Sequence, residues 1–419
     1  MDISAPMDWF KSNKINTDRL IFYFMIGVFF SLPIGTAPPL LCGVAATLVW
    51  IFSGNILKFK FFFYNSWTWP VFIMILLPWI GLLYTPEITE VSMKYAGKTH
   101  YWIYGLVIAS LSFHLFPTQK LFQAFLLGLT LNAIVGIFQS TGFLQPVGHN
   151  FGLVSGYRAL SSFIVVGILM MSYYFKNTKK KEIKLLSGML ILLFVYHLFI
   201  IKGRNGYFTF FILSPFLAYN LFNGIKIYKI VLLSALIILM IVLSPPFKEV
   251  FVKSKHQITS YSINDFNSSW GKKYNPKEER LYIFRSAIDV MMENPIIGAG
   301  TGGFYSLTKK LEKEVRHPHN NILYMGTSFG LVGVFVLLWL FWEVFKNSWN
   351  EKHTSLGWFV FSTTLVIFVS GIFNSQILDT GTAYLFSLAI GLQQGFTKFT
   401  EKSQKRWAQT YPMPSLKEA

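Results

Sequence analysis

The run Arg316-His317-Pro318-His319-Asn320-Asn321-Ile322-Leu323 sets two imidazoles beside a guanidinium and two carboxamides where a polar stretch gives way to an apolar one. Histidine titrates near neutrality, so such a cluster can move a proton at physiological pH. Pro318 donates no backbone hydrogen bond and biases His317 towards an extended backbone. Asn320 is a favoured N-cap ahead of Ile322, Leu323, Tyr324 and Met325. His319 is therefore expected at a helix mouth, where unsatisfied N–H groups attract anions and disfavour imidazolium. The chemistry expected is proton acceptance by a neutral His319, against the plainer reading of a capping or core histidine. No metal is expected on His317 and His319, because neither a carboxylate nor a thiol stands nearby to complete the pair.

Arginines are the second ingredient. Arg204 lies between Gly203 and Gly206, which leave backbone room for a ligand, and Arg158 follows a loop rich in glycine. In the polar stretch before the histidines, Asn275-Pro276-Lys277-Glu278 supplies an N-cap, a proline at N1 and a glutamate at N3. A helix is predicted from there to just before Asn294-Pro295. Its expected apolar face is Leu281, Phe284, Ile288 and Met291. Arg280 and Arg285 diverge by about 140° around it. Arg285 can pair with Asp289 on the surface, which leaves Arg280 as the inward candidate. Guanidinium groups converging from separate segments suit a diphosphate, which they grip in bidentate fashion. Gly298, Gly300, Gly302 and Gly303 superficially resemble a phosphate cradle. Without a P-loop lysine or a strand-to-helix unit, a tight structural turn is the better expectation.

The elements that must hold these groups are membrane helices. The 419 residues are 53% hydrophobic and 13% charged, against about 25% charged in soluble domains. An ordinary soluble globule is excluded. Apolar runs of about 20 residues predict an all-α polytopic membrane protein of about twelve transmembrane helices rather than an outer-membrane barrel. The net charge of +18 flanks the apolar runs, most densely at Lys176, Lys179, Lys180, Lys181 and Lys184. There it sets orientation and meets anionic lipid head groups, so membrane lipids and not nucleic acid are the expected partners. Residues 1–244 read as transmembrane helices one to nine, 245–318 as a helical periplasmic insertion, 319–396 as helices ten to twelve, and 397–419 as a basic cytoplasmic tail. Counting crossings puts both termini in the cytoplasm, and Arg158, Arg204 and the insertion on the outer face. That placement runs against the positive-inside trend, so the two arginines need a reason.

Four sets of residues give the chain a resemblance to the O-antigen ligase family and its relatives, the O-antigen polymerases and protein O-oligosaccharyltransferases. They are Gly81-Leu-Leu-Tyr84, Gly203-Arg204-Asn-Gly206-Tyr207, Arg280-Leu-Tyr-Ile-Phe-Arg285 leading to Asn294-Pro295-Ile-Ile-Gly298-Ala-Gly300, and His317-Pro-His319-Asn320. The resemblance implies a GT-C type glycosyltransferase. It would move O-antigen polysaccharide from undecaprenyl diphosphate to a sugar hydroxyl of lipid A-core, on the periplasmic face of the bacterial inner membrane, without metal or cofactor. It implies catalytic roles for His319, Arg204 and Arg280, and substrate-binding roles for Arg158, Arg285, Asn320, His317 and Tyr207. A polymerase or a protein glycosyl ligase using the same donor is the nearest alternative. A lipid or sugar transporter is disfavoured, since the spans hold few ionisable groups near their centres.

Overall fold

The computed structural model describes residues 4–58, 65–111, 116–146, 151–153, 157–201, 203–221, 279–308 and 315–396. The expected ninth span, the Asn275-Pro276-Lys277-Glu278 helix start and the basic tail lie outside the described residues. Within them the elements are helical: α1 Ser4–Ser31, α2 Ala37–Phe52, α3 Thr68–Gly81, α4 Glu90–Gly97, α5 His100–Ala109, α6 Gln119–Ser140 and α7 Tyr157–Asn177. They continue with α8 Lys181–Ile200, α9 Arg204–Leu221, α10 Glu279–Glu293, α11 Gly303–Thr308, α12 Asn321–Asn350, α13 Ser355–Phe373 and α14 Thr380–Leu392. No strand occurs among the described residues.

Five of these, α6, α7, α8, α12 and α13, are long and apolar enough to cross a membrane, with α2 and α3 shorter apolar helices. A polytopic helical membrane protein follows. Of the fourth expected span, Tyr101 to Phe116, the described structure shows α5 as helical to Ala109, and 112–115 lie outside the described residues. The segment from Thr85 to Thr99, expected to be simply polar, contains α4, started by a capping box in which Thr89 accepts from the Ser92 N–H and the Ser92 hydroxyl accepts from the Thr89 N–H.

Around the core, α1 packs on α2 and α6, α7 on α8, α9 and α13, and α5 on α14. Close approaches at small residues bring one set of helix ends together. A Cβ on Gly206 would stand 2.4 Å from Ser161 Cβ, and one on Gly381 would stand 2.9 Å from Ala159 Cβ. The first turns of α7, α9 and α14 therefore abut, and the Phe208 and Phe373 rings stack at 5.3 Å to bring in the end of α13. Arg158, Arg204 and Asp379 all stand at this end.

α12 breaks at Gly330 (φ 61°, ψ −153°). The preceding segment repairs the break. Ala299 and Gly300 donate their N–H groups to the Thr327 and Ser328 carbonyls, while Leu331 and Val332 donate to Pro295 and Ile296. Thr301 caps the end of α3, its N–H donating to Gly81 and its hydroxyl to the Pro78 carbonyl. The glycine-rich run is thus a structural turn, as its lack of P-loop features suggests, with these N–H groups used inside the fold.

Candidate functional site

The histidine segment takes the geometry its sequence dictates. Asn320 caps α12, its Oδ1 accepting from Leu323 N–H at 3.0 Å while its Nδ2 donates to the Ile372 carbonyl. The chain must turn sharply to enter that cap, and it does so at His319, whose φ of 53° is the one left-handed value among described non-glycine residues. A histidine held there stores roughly 1–3 kcal/mol of strain, which surrounding contacts must offset.

Those contacts come largely from the link between α13 and α14. His319 Nδ1 lies 3.4 Å from Asn374 Oδ1. A carboxamide oxygen only accepts, so Nδ1 is the donor in this contact. His317 Nδ1 accepts from the His319 N–H at 3.3 Å and lies 3.2 Å from Ser375 Oγ. The two rings meet edge to face, 4.3 Å between centroids. Burial first, then the nearby His319, Arg158 and Lys98, push the His317 pKa far down, so His317 is neutral at physiological pH.

Arg158, half-buried at the start of α7, acts electrostatically on both His317 and Asp379. Lys98, between α4 and α5, hydrogen-bonds the Leu378 carbonyl. Burial lowers its pKa to about 8, against the opposing pull of Asp379. Asp379 is the N-cap of α14, accepting from Gly381 N–H at 3.3 Å. Burial raises its carboxyl pKa, and Lys98, the Gly381 N–H and Arg158 oppose that rise. Tyr95 ties the arrangement from α4, its hydroxyl donating to the Arg316 carbonyl at 3.0 Å. Lys98, Asn374, Ser375 and Asp379 were not among the residues expected from sequence. Only Asp379-Thr-Gly381 carried a local signal, that of an N-cap before an apolar run.

The other expected residues divide. Arg204 begins α9 beside the first turn of α7, but its side chain lies outside the described structure. Tyr207 is 3% exposed and its hydroxyl donates to the Ile201 and Phe199 carbonyls, closing the end of α8. α10 is also rotated from expectation. Its buried stripe is Ile283, Ala287 and Val290, packed with Ala299, Phe304 and Val315, while Ile288 is 48% exposed. Small Ala287 allows that close packing, a choice that hydrophobicity alone does not encode. Arg285 is half-buried and Arg280 exposed, the reverse of the expected order. Arg280 nonetheless stands about two turns before Ala287, on the packed face. Val315, with Leu323 packed against the same cluster, joins that face to both flanks of the histidine segment.

No group of three His, Cys, Asp or Glu residues able to hold a metal ion occurs among the described residues. The arrangement offers an adjacent imidazole pair, cations from separate elements and the half-buried Asp379 carboxylate, which together suit proton transfer beside a bound anion.

Residues 188–338, from within α8 to within α12, match the family model described as O-antigen ligase. No curated protein matches the chain.

Proposed function

We propose that this chain, which matches the O-antigen ligase family model over residues 188–338, transfers a polysaccharide from undecaprenyl diphosphate to a sugar hydroxyl of lipid A-core. The observation that carries the reading is the grouping of Arg158 with His317 and His319 at the helix ends where α9, headed by Arg204, also begins. Arg204 and Arg280, with Arg158, grip the diphosphate and stabilise the charge that develops on its departing oxygen. That is a role metal ions fill in other transferases. His319 Nε2 takes the proton of the acceptor hydroxyl as that oxygen bonds to the anomeric carbon from the face opposite the leaving group. The carbon–oxygen bond to phosphate breaks, the anomeric centre inverts, and undecaprenyl diphosphate leaves with the bonding pair. His317 and Asn374 hold the His319 segment in its left-handed turn.

The test is transfer in vitro, with reconstituted protein, lipid-linked donor and purified lipid A-core. His319→Ala should lower turnover by about 10²–10⁴-fold, the usual contribution of a positioned base, at unchanged protein level. Normal transfer by that variant would overturn the role. Product appearing only when a second lipid-linked glycan replaces the core would identify a polymerase instead.

A further inference from the structure

α7 and α8 form an antiparallel pair whose connecting turn lies at the end remote from Arg158. The 21 residues of α7 span about 30 Å at 1.5 Å per residue, close to the thickness of a bilayer's hydrocarbon core. At the turn, a groove of about 640 Å³ opens between the end of α7, the first half of α8 and the end of α9. Its walls are Phe175, Leu185, Gly188, Met189, Leu192 and Leu221, and its rim carries Lys181 and Lys184.

We propose that this groove is a binding site for one anionic phospholipid in the leaflet opposite the candidate active site. Its size falls within the range of about 300–1,000 Å³ typical of ligand pockets. The walls require an acyl chain: α8 is the least buried of the five candidate spans, with Leu185 67% and Leu192 71% exposed towards what would be lipid. The rim selects the head group. Lys184 Nζ stands over the Phe175 ring, 5.1 Å from its centroid, so the ammonium is held above the groove wall. Lys179, Lys180 and Lys181 are exposed beside it. α8 also starts without a side-chain cap, so the positive end of the helix points the same way. Lys176 is turned aside to Asn220 Oδ1 at 3.3 Å, and Glu182 is the one acid in this turn. Charge complementarity therefore favours an anionic phospholipid over a zwitterionic one.

The site is tested on purified full-length protein by native mass spectrometry, with phosphatidylglycerol and phosphatidylcholine offered at equal concentration. Wild type should retain phosphatidylglycerol at least fivefold over phosphatidylcholine, and Lys181→Gln with Lys184→Gln should abolish that preference. Gly188→Phe fills the groove, since a Cβ there meets only the Phe175 ring, at 3.5 Å. It should lower phosphatidylglycerol retention with the cations intact, while His319→Ala should retain it in full. If Gly188→Phe fails to yield monodisperse protein, the surface lysine pair decides alone. Equal retention of the two lipids by wild type would overturn the site, as would retention unchanged in the lysine variant. Displacement of phosphatidylglycerol by an equimolar polyprenyl phosphate would reassign the groove to the donor's own tail.

Discussion

A guanidinium and an ammonium differ in what they offer a diphosphate: Arg presents a planar fork, Lys a single charged point. Under the proposed mechanism Arg204→Lys should therefore lose transfer by nearly as much as Arg204→Ala, measured as turnover at saturating donor. A lysine variant close to wild type would reduce Arg204 to a membrane anchor. His317 contributes through protonation. Its folded pKa lies far below the ordinary 6.5, so as pH falls below about 6.5 the unfolded chain binds a proton that the folded chain refuses, and stability is lost. The thermal midpoint of wild type should fall more steeply between pH 7 and 5 than that of His317→Gln, and parallel slopes would exclude this linkage. The Asn320 cap, with His319 at the mouth of its helix, was legible because it is local: proline, then a capping asparagine, then an apolar run. Lys98 and Asp379 were not, because each gains its meaning from a partner roughly 280 residues away in sequence, Lys98 at the Leu378 carbonyl, and no spacing rule encodes that.

At the scale of elements, the break in α12 determines where the histidine segment meets the bundle. In a straight helix the Thr327 and Ser328 carbonyls would accept from the Leu331 and Val332 N–H groups; the break at Gly330 parts these pairs, and the 295–300 segment takes up all four groups. Gly330 permits this because its backbone lies in a region open almost only to glycine. A Cβ there would stand 2.3 Å from the Ile296 carbonyl carbon. Gly330→Ala should cost more than the ~1–2 kcal/mol of a left-handed backbone alone, seen as a fall in thermal midpoint with reduced yield; a midpoint equal to wild type would show that the helix can run straight. The long apolar helices were legible from their length. The rotation of α10 was not, because Leu281-Phe284-Ile288 and Ile283-Ala287-Val290 are both apolar stripes, and the packing partner chooses between them.

For the whole molecule, α7 and α8 fix the separation between chemistry and charge. Arg158 heads α7, the lysine-rich turn joins α7 to α8, and α8 returns to the Arg158 end, where α9 starts with Arg204 in front. If these helices cross the bilayer, the histidine segment and Lys180 face opposite compartments, and the lysine density puts the Lys180 end inside. Arg316 and Lys180 are both exposed, and Cys42 is the only native cysteine, so a Cys42→Ser background permits single probes. In intact spheroplasts a membrane-impermeant maleimide should label Arg316→Cys and leave Lys180→Cys unlabelled until the membrane is permeabilised. Labelling of both before permeabilisation would remove the bilayer from between them. Labelling in the reverse order would turn the site towards the cytoplasm, where a transfer confined to the outer face could not occur.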